Sequence, residues 1–275
     1  MKRWLGNTLL ILGIVSLAGG VVAAQKRQGS LQCNDSWNNG DQKGHCDIRE
    51  QTLPAGGPMA VDGGKNGGVA VKGWDRNEIL VRAQVQTWAP TQAEADQIAT
   101  GIRIETGAMQ IHAEGPERGE DSNWSVSYEI FAPRHSDLSL KAHNGGISIN
   151  DVQGKIDFGT QNGGVSLRRV GGDVHGSTTN GGVNVELAGA RWEGGTLDVK
   201  TTNGGVNLIM PQDYSAHLET STVNGNVSSD LPMNVPLTDR GRLPKEISVD
   251  LGGGGPTVRA VTTNGGVRVS HANVN

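Results

Sequence analysis

Residues 156–167 read I-D-F-G-T-Q-N-G-G-V-S-L, and residues 174–185 read V-H-G-S-T-T-N-G-G-V-N-V. The frame is the same in both: an aliphatic residue, a polar one, a threonine two places before an asparagine, two glycines, then valine alternating with polar residues. The tripeptide N-G-G recurs at Asn66, Asn144, Asn162, Asn180, Asn203 and Asn264, and a variant, N-G-N, begins at Asn224. Successive spacings from Asn144 are 18, 18, 23, 21 and 40 residues. The last reads as two periods with one degenerate repeat between them. A repeat of this length marks a solenoid, in which each coil of chain stacks on the one before.

The columns support this reading. Six residues before each asparagine stand Leu138, Ile156, Val174, Leu197, Leu218 and Val258, and three after it stand Ile147, Val165, Val183, Val206, Val227 and Val267. All are apolar, and polar residues alternate with them, which is the period-two pattern of half-buried strands. Each rung is therefore strand, N-G-G turn, strand. Asn and Gly suit the positive φ that a tight turn requires. Stacking places Asn66, Asn144, Asn162, Asn180, Asn203, Asn224 and Asn264 over one another, as in other stacked amide ladders. The threonine column before the turn fits a strand end, with the hydroxyl bonding inside its own turn. At roughly 3.3 Å per residue, an 18-residue rung holds two or three short strands. Parallel strands joined in this way coil right-handedly. The fold expected is all-β: a right-handed β-solenoid over 134–275 with an N-terminal mixed β cap over 59–133.

Within the cap, M-A-V-D from Met59, G-V-A-V-K-G-W and E-I-L-V-R-A-Q-V-Q read as strands, and later strands are expected at 102–105, 109–113 and 124–131. One short helix is expected near 91–100, where Thr91 and Glu94 form a capping box. The segment from Leu231 to Pro256 is expected to fold over the far end of the solenoid. Residues 25–58 read as an N-terminal segment, loop-like over 25–54, tied by a disulfide between Cys33 and Cys46. A C-x12-C pair in an oxidising compartment favours that bond over a metal site, for which two cysteines and His45 are too few ligands. Closing such a loop contributes roughly 3 kcal/mol.

Residues 1–24 read as a signal peptide. Lys2 and Arg3 precede an apolar stretch from Leu9 to Ala24, which ends in Val22-Ala23-Ala24. An uncleaved anchor is the alternative. The protein is thus expected in the periplasm or secreted. Losing Lys2 and Arg3 takes the formal charge from −4 to −6, and no basic run remains for phosphates, so nucleic acid is disfavoured as a partner. A cell-surface glycan or an envelope protein is the partner class expected, and no cofactor or metal is. Glycine is the compositional anomaly, at 42 of 275 residues. Its regular placement argues against a flexible linker. A strand, not a helix N-terminus, follows each N-G-G, which argues against a phosphate cradle.

The stretch N-G-G-V-A-V-K-G-W-D-R-N-E-I-L-V-R-A-Q-V from Asn66, then A-P-T-Q-A-E-A from Ala89, then the repeated T-x-N-G-G-V, resembles a family of exported bacterial β-strand-repeat proteins of unknown function. Its members are regarded as candidate adhesins. The resemblance runs from about Cys46 to Ser270. It implies a β-helical architecture and export, and it supplies no catalytic residues.

No G-x-S-x-G, H-E-x-x-H or C-x-x-C motif occurs, and the reading is a non-enzymatic scaffold. The alternative is a protein that binds or cleaves carbohydrate. Five residues before successive asparagines stand Asp157, His175 and Asp198, one per rung on an outward face, where rungs ~4.8 Å apart would align them. Two carboxylates two rungs apart reach the wide limit for an inverting hydrolase, while the plainer reading is a solvated charge ladder. Trp192 lies in the rung lengthened to 23 residues, where it either projects to grip a ligand or folds down to close the rung. Trp74, Trp88 and Trp124 read as core. Four residues after each asparagine, Ser148, Ser166, Asn184, Asn207 and Ser228 form a short polar row.

Overall fold

The computed structural model describes residues 31–33 and 42–272. The expected signal peptide, 1–24, lies outside the described residues. In chain order the elements are β1 (Lys43–Pro54), β2 (Met59–Asp62), β3 (Val69–Trp74), β4 (Glu78–Ala89), α1 (Gln92–Gly101), β5 (Arg103–Glu105), β6 (Gln110–Glu114) and β7 (Asn123–Pro133). The repeats then give β8 (Leu138–Ala142), β9 (Ile147–Asn150), β10 (Gln153–Thr160), β11 (Val165–Arg168), β12 (Gly171–Asn180), β13 (Val183–Glu186), β14 (Leu197–Asn203) and β15 (Val206–Met210). Last come β16 (Ala216–Asn224), β17 (Val227–Ser229), β18 (Glu246–Leu251), β19 (Thr257–Asn264) and β20 (Val267–His271).

Each N-G-G turn joins a strand of one ten-stranded sheet to a strand of a second, so a rung holds two strands. One sheet runs β1-β4-β7-β3-β9-β11-β13-β15-β20-β17, and the other runs β18-β16-β19-β14-β12-β10-β8-β2-β6-β5. Neighbouring rungs pair in parallel with the repeats in register: Ile156 opposes Val174, Val165 opposes Val183, and Leu197 opposes Val258. The two aliphatic columns meet between the sheets and are buried throughout, from Leu138 and Ile147 to Val258 and Val267. Apolar area removed from water at roughly 25 cal/mol per Å² is the main driving term for such a stack.

The turns lock through three contacts. Along the asparagine column each Nδ2 donates to the Oδ1 of the adjacent rung: Asn144 to Asn66 at 2.9 Å, Asn162 to Asn144 at 2.8 Å and Asn180 to Asn162 at 2.7 Å. The chain of bonds continues through Asn203, Asn264 and Asn224. Each threonine hydroxyl donates to a glycine carbonyl of the adjacent rung, not of its own turn: Thr160 to Gly145, Thr178 to Gly163 and Thr201 to Gly181, all at 2.7 Å. The first glycine is required for closeness. A β-carbon on Gly163 would collide with the carbonyl oxygen of Gly145, and one on Gly181 with that of Gly163. Positive φ is not the reason, because Asn162, Gly163, Asn180 and Gly181 all lie outside the left-handed region.

The opposite corner of the rung uses charge. Asp151 and Arg169 occupy equivalent positions 18 residues apart, and both adopt left-handed backbone, with φ of 58° and 50°. Arg169 donates Nε and Nη2 to Asp151 at 2.7 and 2.8 Å, and Arg134 does the same to Asp75 at 2.7 and 3.3 Å. Hydrogen bonds from Arg169 hold the Asp151 carboxyl below the usual carboxylate pKa, against a smaller opposing effect of burial.

Four sequence expectations need correction. The spacing of 40 residues hides no degenerate repeat. Residues 231–256 instead form a loop and β18, which pairs antiparallel with β16, and Leu231, Ile247 and Leu251 pack into the core over that end. The last rung, β19–β20, then inserts between the rungs of Asn203 and Asn224. The rung of Asn66 belongs to the stack although it falls in the segment expected to be a cap, since β2 and β3 pair in parallel with β8 and β9. Residues 43–54 are not loop-like: β1 pairs antiparallel with β4 along its whole length, and Cys46 on it bonds Cys33 with a Cα–Cα separation of 5.6 Å. Finally, Trp124 is core but Trp74 and Trp88 are only half-buried.

The helix forms as expected. Glu94 N donates to Thr91 Oγ1 and Thr91 N to Glu94 Oε2, both at 3.3 Å. Ala95 and Ala99 bury its inner face against β4 and β1, where the second sheet no longer reaches, and Arg49 donates to Ala99 O at 2.8 Å near the helix C-terminus. Among the described residues no helix is long and apolar enough to cross a membrane.

Asn180→Ala removes two ladder bonds, while Asn224→Ala, at the end, removes one. Urea unfolding is expected to show losses of about 1–3 kcal/mol and about half that, respectively; equal losses would contradict the ladder. Gly163→Ala is expected to cost about 3 kcal/mol or more through overpacking. The Asp151 pKa is depressed in the folded state, so its contribution is present above the unfolded value near ~3.9 and lost as pH falls through the folded one. Asp151→Asn should therefore destabilise the protein near neutrality and flatten the fall in melting temperature below about pH 4.

Candidate functional site

The outward row of the second sheet is built by register. Ser139 opposes Asp157, Asp157 opposes His175, and His175 opposes Asp198. The inserted rung then places Arg259 beside Asp198 and Glu219 beside Arg259. Arg259 bridges the two acids, 3.0 Å from Asp198 and 3.4 Å from Glu219, and Lys200 adds a contact to Asp198 at 3.0 Å. Without the inserted rung, Asp198 and Glu219 would be lateral neighbours of like charge, which is destabilising in a sheet. Asp157 and His175 are exposed, and Asp198 is half-buried by its ion pairs. The structure thus brings the three candidates into one line while committing Asp198 to its neighbours.

Trp192 is buried, at 2% exposure, and donates Nε1 to the Gly172 carbonyl at 3.1 Å. It does not project. It stands two places before the corner glycine Gly194, as Val152 and Val170 do before Gly154 and Gly172, and so continues their buried column. Four of the five extra residues of that rung lie at 188–191, and the larger ring closes the widened corner. Of the two readings of Trp192, the structure takes the one in which it folds down to close the rung. The outer row of the first sheet is polar as read, and Asn207 donates to Asn184 at 2.8 Å.

A cleft of about 750 Å³ opens at the N-terminal end of the Asp157 row. Its base is the outer face of β2, β8 and β10, where Ala60 and Ser139 are short. One wall carries Lys155 and Asp157, and the other is β6, with Gln110 and His112. Beyond β2 the lining reaches Ile111, Trp124 and Val126 in the core. The cleft exists because β2 meets β6 through only Ala60–Gln110 and Val61–Ile111, which leaves the turn at 63–66 free to diverge. Arg118 stands over the Trp124 ring, 4.0 Å from its centroid, and desolvation there lowers its pKa. Sequence reasoning found Asp157 but missed the cleft, since its walls come from strands 50 to 100 residues apart with no shared motif. Among the described residues no group of three or more His, Cys, Asp or Glu is placed to hold a metal ion.

No curated protein sequence matches the chain. Several solved structures do. A candidate cell adhesion protein from Clostridium sporogenes is 10% identical, with a TM-score of 0.46, over 84% of this chain and all of that one. A candidate adhesin from Bacteroides fragilis is 9% identical, with a TM-score of 0.30, over 82% of this chain and 97% of its own. A candidate lipid-binding protein from Parabacteroides distasonis is 8% identical, with a TM-score of 0.31, over 82% and 97%. Residues 82–270, which take in the β4–β7 sheet extension and every rung from Asn144 onward, match the Toastrack DUF4097 family, and the chain belongs to that family.

Proposed function

We propose that the protein is an exported, non-enzymatic scaffold with an adhesin-like role at the cell envelope, its coils right-handed by the rule for parallel crossovers. One observation carries the reading. The asparagine ladder ties every rung at one corner, the Arg134–Asp75 and Arg169–Asp151 pairs tie the first rungs at the other, and the outer row of the second sheet is neutralised laterally through Asp198, Arg259 and Glu219. Such a surface is stiff and soluble, suited to display more than to chemistry. The Cys33–Cys46 bond supports an oxidising compartment, periplasmic or extracellular.

The second reading, carbohydrate binding or cleavage, is favoured by the cleft beside Asp157. Cleavage through an Asp157/His175/Asp198 face is disfavoured by the ion pairs that hold Asp198. Purified mature protein is expected to co-sediment with bacterial envelope fractions and to leave a panel of polysaccharides intact. Hydrolysis abolished by Asp157→Ala or Asp198→Ala would sink the non-enzymatic reading, and failure to sediment would remove the envelope role.

A further inference from the structure

The cleft differs from the rest of the outer face in how its charges are satisfied. Farther along the sheet, cations and acids are paired: Arg259 with Asp198 and Glu219, Lys200 with Asp198, and His217 with Asp250 at 2.7 Å. In the cleft, Lys65, Lys141 and Lys155 are exposed, and among the described residues none of the three ammonium groups has an ion-pair partner. Lys141 even opposes Asp62 across the β2–β8 ladder without pairing with it. Asp62 instead accepts from Gly64 N at 2.8 Å, and Asp137 accepts from Lys155 N at 2.7 Å; with Asp157 they set three acids in the lining against four cations, the three lysines and Arg118.

A fourth donor comes from the ladder itself. Asn66 is its last member at this end. The residue lines the cleft, its Oδ1 accepts from Asn144, and its Nδ2 donates to nothing among the described residues. A carboxamide carries two N–H donors, and every other Asn in the column uses one on its neighbour. The ladder thus ends, at a residue of the same lining as the three lysines, with an amide whose donors are unused.

We infer that this cleft binds an acidic saccharide chain. The lysines take the anionic group through charge-assisted hydrogen bonds. The Asn66 amide donates to ring or hydroxyl oxygens. Asp157, an exposed acceptor, takes sugar hydroxyl protons. Ala60 and Ser139 are short enough to let a ring lie flat on the sheet. A cavity of about 750 Å³ is in the range of small-ligand sites and matches a few sugar units. Either a uronate carboxylate or a phosphate supplies the same charge. This inference gives the adhesin-like reading a ligand class and rests on it for biological context, but not for binding itself.

The test is equilibrium binding of the full mature protein to three probes: an oligogalacturonate, a glycerol-phosphate polymer and a neutral dextran oligomer. Binding to one or both acidic probes is expected, weakening as salt screens the lysines, with no binding to dextran. Which acidic probe binds identifies the source of the anion. Lys141→Glu with Lys155→Glu is expected to lower affinity by about tenfold or more, with circular dichroism and melting unchanged. Lys72→Glu, on the outer face of the other sheet, is expected to leave affinity unchanged. Asn66→Ala is expected to weaken binding by several-fold at little cost in stability. Equal binding of dextran, no binding of either acidic probe, or equal losses in the Lys72 variant overturns the proposal. Envelope sedimentation without acidic-probe binding removes this site and leaves the adhesin-like role. Acidic-probe binding without sedimentation does the reverse.

Discussion

Everything in this fold depends on how closely two coils of backbone approach at the N-G-G corner. The first glycine of each turn sits where a β-carbon would strike the carbonyl of the turn beneath it. Because that space is empty, the asparagine amides come within 2.7–2.9 Å of one another and the threonine hydroxyls reach the neighbouring carbonyl. The aliphatic columns are then held at the lateral spacing of a sheet and exclude water together. Side-chain size at one position therefore sets the packing of the whole interior. Phe158 illustrates the same economy inside: its ring fills the place where Gly176 of the next rung has no side chain.

The ladder of asparagines is uniform, but the outer rows are not, and spatial order rather than chain order decides how they behave. In sequence, Asp198 is followed one repeat later by Glu219, and Arg259 comes last. In space, Arg259 lies between them. Charges that would repel in a simple stack are interdigitated by threading the last rung inward. The same threading places Arg268 between Asn207 and Ser228 on the opposite sheet. Lysines without ion-pair partners gather at the other end, around the cleft beside β2 and β6.

What was legible in the sequence follows from periodicity. The repeat frame, the buried columns, the asparagine stack, the helix at Thr91 and the Cys33–Cys46 bond rest on local patterns of a few residues, and each appears as read. The purpose of the glycines was misread because clash with a neighbouring coil is invisible in one copy of a motif, whereas positive φ is a property of one residue. Trp192 was read either as projecting or as folding down to close its rung, and the structure takes the second. Counted from the corner glycine, it falls in the column of Val152 and Val170. The insertion of β19–β20 had no local signal at all, because both candidate neighbours of that rung carry the same consensus. The cleft depended on non-local pairing of β2 with β6, which no repeat encodes.

The threaded rung also fixes an order of assembly. Three of the six ladder contacts, from Asn144 to Asn203, join coils 18 to 23 residues apart, so these coils can stack as the chain emerges. Asn203 finds its partner 61 residues onward, at Asn264. Until residues 257–271 are present, the exposed lateral edge of β14 and β15 has no native cover except a wrong one, the rung of Asn224, whose consensus would pair with it. The native cover of β14 and β15 therefore depends on a long loop closure that needs residues 257–271. A consensus repeat, usually a guarantee of easy folding, here creates its own nearest decoy.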